Sequence, residues 1–498
     1  MKEERVDLEQ GQPKSRKYIA VLVGILAVVI GVCALAECIR VCTKKDSARY
    51  MSDLIHRDLK TDILFVGDSQ VTADILPMEL WQKYGYTSYV LHANNNGIAR
   101  SRAMLLLALQ YSDPKVVVLS TDQYWEESDM EKQVASYHEY ADAFPLTKAK
   151  IDSTFGWVED PMQRAEILFP FLIYHNRWQE VSREDFDTSG SVLKGGTLGY
   201  GVEPIEFQDA PDTDEAVMPE NGEKNLAEIE AFIRECQSRD IEVMLLTLPM
   251  GLSTKRQSYL YELNGLADRY GIPYLNLVED HSAFNPKTDF KDMIHMNASG
   301  AGKLTSYLGQ YLGEQYGLQS RMTDPEVSAL WNEDLNRYLE LKRQDLKDTQ
   351  GLKEFLVQCR DENLNIALYV NYASDLYRDD TGCALVRNIA GPEQFDTARE
   401  IGEDYFTFVD FGEGKIYESV APQDEEWNTS VGKVCFTYGE DGQPKLSLGE
   451  EEQNLFAHEG DGDICVAVFD RWSGQLICTK TFDTQLLLQA ETLAAKTE

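Results

Sequence analysis

Five short apolar runs separated by longer amphipathic stretches are the strongest constraint on how this chain folds. They are Asp62–Val66 (DILFV), Ser88–Leu91, Lys115–Ser120 (KVVVLS), Ile241–Leu248 (IEVMLLTL) and Pro273–Leu277. Helical patterns accompany them at Arg100–Tyr111, Glu223–Arg239, Lys255–Tyr270 and Ser299–Tyr316. Buried strands alternating with helices of this length predict an α/β fold, with a parallel sheet covered on both faces. In such sheets the chemistry sits in loops beyond the carboxyl ends of the strands.

The chain has 498 residues, more than one ordinary core accommodates, and other segments follow a different pattern. Residues 125–222 are aromatic and polar and read as an insertion over the strand ends, a lid or substrate wall. The glycines near its end (Gly195, Gly196, Gly199, Gly201) do not form a phosphate-binding pattern. Asp324–Gln350 is patterned as an amphipathic spacer helix. Beyond it, residues 351–490 carry β-type runs at Asn365–Val370, Tyr405–Val409, Lys433–Tyr438 and Ile464–Phe469, with turn signals such as Asp441-Gly442 and Ser473-Gly474. A second, mixed α/β or β-rich domain is expected there.

At the other end, Tyr18–Ala36 contains no charge and is about long enough to span a bilayer. Lys14, Arg16 and Lys17 before it favour a cytoplasmic tail (1–17), an anchor (18–37), a stem (38–60) and an outside body; Arg40, Lys44 and Lys45 pull the other way. A cleaved signal peptide ending at Ala34-Leu35-Ala36 is the rival, although the apolar run exceeds a usual signal core. With 84 acidic against 47 basic residues the net charge is −37, which repels phosphate backbones and argues against nucleic acid as a partner. Nine cysteines show no CxxC. Six of them (Cys236, Cys359, Cys383, Cys435, Cys465, Cys478) either pair in an oxidising compartment or remain small buried thiols. The seven histidines never fall at metal-ligand spacing, so neither a metal nor another cofactor is expected.

Two motifs carry chemistry. Gly67-Asp68-Ser69 follows directly on DILFV, where a serine can present its hydroxyl at the sheet edge; the plain alternative is a turn in which Asp68 or Ser69 caps a helix. Asp292-Met-Ile-His295 stands near the end of the sheet pattern. A histidine that takes a serine's proton needs an acid to fix its tautomer, and an aspartate three residues earlier can do so. The alternative there is a surface loop with Ser299 as a cap.

DILFVGDSQ resembles the first block of the SGNH/GDSL hydrolases, and DMIHMNASGAGKLTSYL resembles their last. Anchored bacterial members related to D-alanyl transfer and alginate O-acetylation proteins are the most similar. Tyr174-His175-Asn176-Arg177-Trp178 with Asp185-Phe186 looks like a recurrent stretch of theirs. The resemblance covers roughly residues 60–320. It implies a three-layer α/β sandwich with a flavodoxin-like sheet over 61–320, and acyl-ester chemistry on a polysaccharide or other envelope polymer, beside a membrane-bound acyl donor protein. It makes Ser69 the nucleophile, His295 the general base and then acid, and Asp292 its orienting partner.

The oxyanion blocks depart from the family. The second reads His92-Ala93-Asn94-Asn95-Asn96-Gly97, with no glycine before the asparagines, so an amide of Asn94, Asn95 or Asn96 is the candidate donor. The third, usually Gly-x-Asn-Asp, reads Ser120-Thr121-Asp122-Gln123. His175 and Arg177 either hold a sugar or carboxylate or form a structural pair beside Trp178. His92 is a core or loop histidine first and a site wall second. In the tail, Asp463–Asp470, Ser473-Gly474 and Thr481–Thr484 resemble the interleukin-like EMT inducer domain, which implies an accessory domain facing carbohydrate. The expected activity is O-acyl, in the simplest case O-acetyl, transfer or hydrolysis. The rival is a catalytically weakened scaffold that binds glycan or assists envelope assembly.

Overall fold

The computed structural model describes residues 14–38, 45–122, 124–125, 130–186, 190–212, 215–389, 391–449, 453–456 and 462–485. Most of the expected tail, part of the stem, and Gln123 of the third block lie outside them. A single long helix, Lys14–Cys38, opens the described chain. Its stretch Tyr18–Leu35 has a mean hydropathy of 2.9 and is unburied. By length and composition it suffices to cross a membrane, and a signal sequence meets the same test.

The described chain forms two compact units. One comprises Met1–Asp58, Ala103–Tyr111 and Asp129–Ser191. Most of the expected insertion falls in it and is helical, as Met130–Ala141, Lys148–Trp157, Pro161–Leu168 and Phe171–Tyr174. Its core is aromatic: Tyr137 stacks on Trp157 at 5.1 Å and meets Tyr140 edge-on at 4.9 Å.

The other unit holds both the α/β part and the β-rich part of the chain. Strands β1 (Ile63–Gly67), β2 (Ser88–His92), β3 (Val116–Ser120), β4 (Glu242–Thr247) and β5 (Tyr274–Asn276) pair in parallel in the order β2-β1-β3-β4-β5. That is the doubly wound order whose switch point lies between β1 and β3. Both faces of the sheet are buried. Phe65, Val118 and Leu246 pack with Leu304 and Leu308 of the helix Ala298–Tyr316, while their neighbours Val66, Leu119 and Leu245 are buried on the opposite face. The sequence pattern passes over two helices, Ser69–Asp74 and Pro77–Tyr84. They are one to two turns long, too short for a helical period to register against the neighbouring apolar run.

The spacer helix, Pro325–Asp348, leads to a second sheet. Strands β6 (Leu364–Val370), β7 (Tyr405–Asp410) and β8 (Lys415–Val420) lie on one side of it. Strands β9 (Glu425–Thr429), β10 (Gly432–Tyr438) and β11 (Pro444–Leu448) form a separate three-stranded sheet. Strands β12 (Ile464–Asp470) and β13 (Leu476–Phe482) complete the larger, antiparallel order β13-β12-β6-β7-β8. Alternation along β6 sorts the layers: Ile366, Leu368 and Val370 face a helical layer with Phe355, Leu385 and Phe395, whereas Ala367 and Tyr369 face Phe436 and Leu446 of the small sheet. None of the six body cysteines forms a disulfide, and burial raises the thiols of Cys236, Cys359 and Cys465.

Candidate active site

Ser69 begins its helix one residue beyond the turn at the carboxyl end of β1. The Asp68 side chain caps that helix by accepting from the Gln70 N–H at 2.9 Å. Gly67 makes the turn tight: a Cβ there would lie 2.2 Å from Val71 Cγ2 and 2.8 Å from Ser120 Cβ. Sequence reasoning treated the cap and the nucleophile as competing readings of this tripeptide. Asp68 is the cap, and the half-buried Ser69 hydroxyl is left free of that role.

The histidine loop comes to meet this helix. His295 Nε2 lies 2.9 Å from Ser69 Oγ, and its Nδ1 lies 2.9 and 3.0 Å from the Asp292 carboxylate oxygens. Asp292 Oδ1 also accepts from the backbone N–H groups of Ile294 (3.0 Å) and His295 (2.9 Å). Partial burial pushes the Asp292 carboxyl up, but the Ile294 N–H and the His295 ring outweigh it and hold the group below its ordinary range. Asp292 is therefore anionic at neutral pH. A Ser–His–Asp relay of this connectivity can activate the hydroxyl for attack on a carbonyl.

Two residues that the sequence analysis did not single out place the loop. Gln70 Nε2 donates to the Ile294 carbonyl at 2.9 Å, and Asp74 Oδ1 accepts the Met296 N–H at 2.8 Å. They stand four apart on the helix that starts with Ser69, so one helix face carries both clamps. Their signal was a pair of polar residues at helical spacing in a short, otherwise buried segment. The helix after the loop starts at Ala298, with Asn297 as its cap, accepting from Ser299 and Gly300. Gly300 is required there because a Cβ would sit 2.2 Å from the Asp289 carbonyl oxygen.

The oxyanion candidates are dispersed. Asn94 and Asn95 are exposed, and Asn95 has a left-handed φ of 51°. Asn96 is buried, and its amide donates to the Gly67 carbonyl and to Ser101 Oγ, both at 3.0 Å. Of the three, Asn96 adjoins the serine's turn, and its amide is committed to holding that turn. His92, at the end of β2, lies against the Gly195 carbonyl; burial depresses its imidazole to about 4, so it is neutral at physiological pH. His175 and Arg177 belong to the other compact unit. Arg177 donates to Asp185 at 2.8 Å, His175 is exposed with Nδ1 3.1 Å from the Leu172 carbonyl oxygen, and Trp178 is 67% exposed rather than packed as a support.

Beneath the serine lie three buried carboxyls, Asp68, Asp74 and Asp122. Asp122 accepts from the Leu248 N–H at 2.9 Å and from the Ser120 hydroxyl. Burial, reinforced by Asp68, raises its carboxyl to about 7; burial raises Asp74 as well. In the unfolded chain Asp122 ionises near 4. Between these values the folded state holds the extra proton, so stability present at acid pH is lost as pH rises from about 4 to about 7. Asp122→Asn keeps the acceptor for Leu248 and offers Ser120 an N–H. Urea denaturation is expected to show wild type losing a few kcal/mol more than the variant between pH 4 and 8, with the two converging at pH 4. Parallel pH profiles would remove Asp122 as the source.

No protein-family model matches this chain, and no curated protein matches it. Among the described residues, no group of His, Cys, Asp and Glu is arranged to hold a metal ion.

Proposed function

We infer that this chain is a serine-dependent O-acyl transferase or esterase of the SGNH/GDSL type, tethered by its N-terminal helix, with its body outside the membrane. Its substrate class is a cell-envelope or exported polysaccharide, with acetyl the simplest transferred group and a membrane-bound acyl donor protein its partner. The observation that carries this reading is the unbroken Ser69–His295–Asp292 hydrogen-bond relay at the carboxyl end of β1, beside the switch point of a parallel sheet.

Ser69 Oγ attacks the ester carbonyl as its proton passes to His295 Nε2. The imidazolium then protonates the departing alcohol oxygen, leaving an acyl group on Ser69. A water or a sugar hydroxyl gives its proton to His295 and attacks that acyl group, and the released serine takes the proton back. The Ser69 N–H is one candidate donor to the oxyanion.

A second reading is favoured by the oxyanion blocks: the Asn96 amide and the Asp122 carboxyl both have structural partners. On that reading the scaffold binds glycan or assists envelope assembly with little turnover. The two separate by mass spectrometry of the full chain in detergent after incubation with p-nitrophenyl acetate. The expected result is an acetyl adduct on the Ser69 peptide of wild type, absent in Ser69→Ala. Equal label in the two, or none in either, overturns the enzyme reading.

A further inference from the structure

The stem that follows the anchor is short and is built into the helical insertion. Six residues, 39–44, separate the anchor helix from a second helix, Lys45–His56. Met51 and Leu54 of that second helix are buried, and it packs against Met130–Ala141 and Arg183–Phe186. A Cβ on Gly190, at the far end of the insertion, would lie 2.4 Å from Asp53 Cβ. A link of six residues reaches at most about 25 Å. The helices of this unit therefore stay beside the surface from which the anchor emerges.

The same helices carry an unusual share of exposed apolar groups. Outside the anchor, sixteen large apolar side chains stand exposed among the described residues, and six of them fall between Ile151 and Trp178. They are Ile151, Phe155, Met162, Leu172, Ile173 and Trp178. The helix Lys148–Trp157 reverses the usual rule for a surface helix. Lys150, Ser153, Thr154 and Trp157 face inward, while Ile151 and Phe155, four residues apart, share the outer face. Its inward polar groups are paired: the Lys150 ammonium donates to the Phe144 carbonyl at 2.9 Å, and the Thr154 hydroxyl donates to the Lys150 carbonyl at 2.7 Å. Those bonds fix the helix with its apolar side out. Arg164 of the next helix lies over the Phe155 ring at 4.7 Å, a long-stemmed cation beside an apolar ring.

Apolar side chains clustered in this way mark a surface that leaves water when it functions. An exposed indole such as that of Trp178, 67% accessible, suits the boundary between lipid headgroups and acyl chains. The bilayer is also the apolar partner that the short tether keeps permanently within reach. We propose that the outer faces of Lys148–Trp157, Pro161–Leu168 and Phe171–Tyr174, with Trp178, lie in the interfacial layer of the leaflet from which the stem emerges. Phe155, Met162 and Trp178 are the side chains that enter the lipid. The inference rests on the tether in the reading above and not on its acyl chemistry.

The test is photolabelling of the full chain in phosphatidylcholine liposomes that include a phosphatidylcholine with a diazirine in its acyl chain. Adducts are mapped by peptide mass spectrometry. They are expected in the anchor and in the peptides carrying Phe155, Met162 and Trp178. The control is the peptide carrying Trp472, an indole 69% exposed but outside this unit, and labelling is expected to be about tenfold lower there. Phe155→Ser combined with Met162→Ser and Trp178→Ser is expected to lose the insertion's adducts, keep those of the anchor and leave the thermal midpoint unchanged. A milder variant, Trp178→Phe, is read by fluorescence in liposomes of lipid brominated near the headgroup end of its acyl chains. Wild type is expected to be quenched, and the variant to lose most of that quenching. The proposal is overturned if adducts are confined to the anchor, as they are when these side chains face a protein instead. It is equally overturned if the insertion labels no more than the Trp472 peptide, or if Trp178→Phe is quenched like wild type. An unlabelled anchor removes the tether and this inference together, whereas the acetyl-adduct test on Ser69 decides the chemistry independently.

Discussion

Asp292→Asn is expected to lower acyl turnover by about four orders of magnitude at neutral pH while leaving the fold intact. The size of the effect follows from the directions of the hydrogen bonds. Asp292 Oδ1 accepts from two backbone N–H groups, those of Ile294 and His295. An asparagine must turn its carbonyl oxygen toward them, because its NH2 group has nothing there to donate to. The NH2 group then faces His295 Nδ1, which is forced to accept, and the proton moves to Nε2. That nitrogen lies 2.9 Å from Ser69 Oγ and no longer has a lone pair for the serine's proton. Steady-state kinetics on p-nitrophenyl acetate check this. A loss below tenfold, in a variant with native thermal stability, means that the relay does not carry the chemistry.

The largest stability effect is expected at Lys194 and Asp334. Both are fully buried, with Nζ 2.7 Å from Oδ2, and Lys194 also lies over the Trp331 ring at 5.7 Å. Asp334→Leu leaves the Lys194 ammonium without this carboxylate in a site closed to water, and Lys194→Met leaves the Asp334 carboxylate only its longer 3.4 Å contact with Arg337. Each is expected to destabilise the protein by about 3–5 kcal/mol. Replacing both together, Lys194→Met with Asp334→Leu, is expected to recover most of that loss, because the desolvation of two charges disappears with their attraction. Urea denaturation of the four chains forms a double-mutant cycle. If the losses simply add, the two side chains are not coupled as their distance implies. Lys194 has a left-handed φ of 51°, so methionine there retains any backbone strain and the cycle isolates the side chains.

The sequence was most readable where burial imposes a simple period. All five strands of the parallel sheet were located within a residue or two, since runs such as KVVVLS are buried on both faces and carry no polar interruption. In the β-rich part, β6, β7, β10 and β12 were found and β8, β9, β11 and β13 were missed. The missed strands lie at sheet edges and alternate weakly: Lys415–Val420 has no fully buried residue. The triad was legible because each half is contiguous in sequence, one block of three residues and one of four. The Gln70 and Asp74 clamps were not, because their partners are backbone groups some 220 residues away and backbone leaves no trace in composition.

The order of strands in the second sheet has a consequence for how the chain is made. Its middle strand, β6, appears first, yet one of its two edges stays open until β12 is delivered, after β7 to β11 have all passed. During synthesis a strand buried along its whole length, LNIALYV, therefore waits with unpaired N–H and C=O groups on that side. The run ICVAVFD that finally closes it ends only a few residues before the last described strand. Any shortened product that stops ahead of Ile464 exposes a hydrophobic edge to neighbouring chains, so the segment Ile464–Asp470 acts as the seal of this sheet.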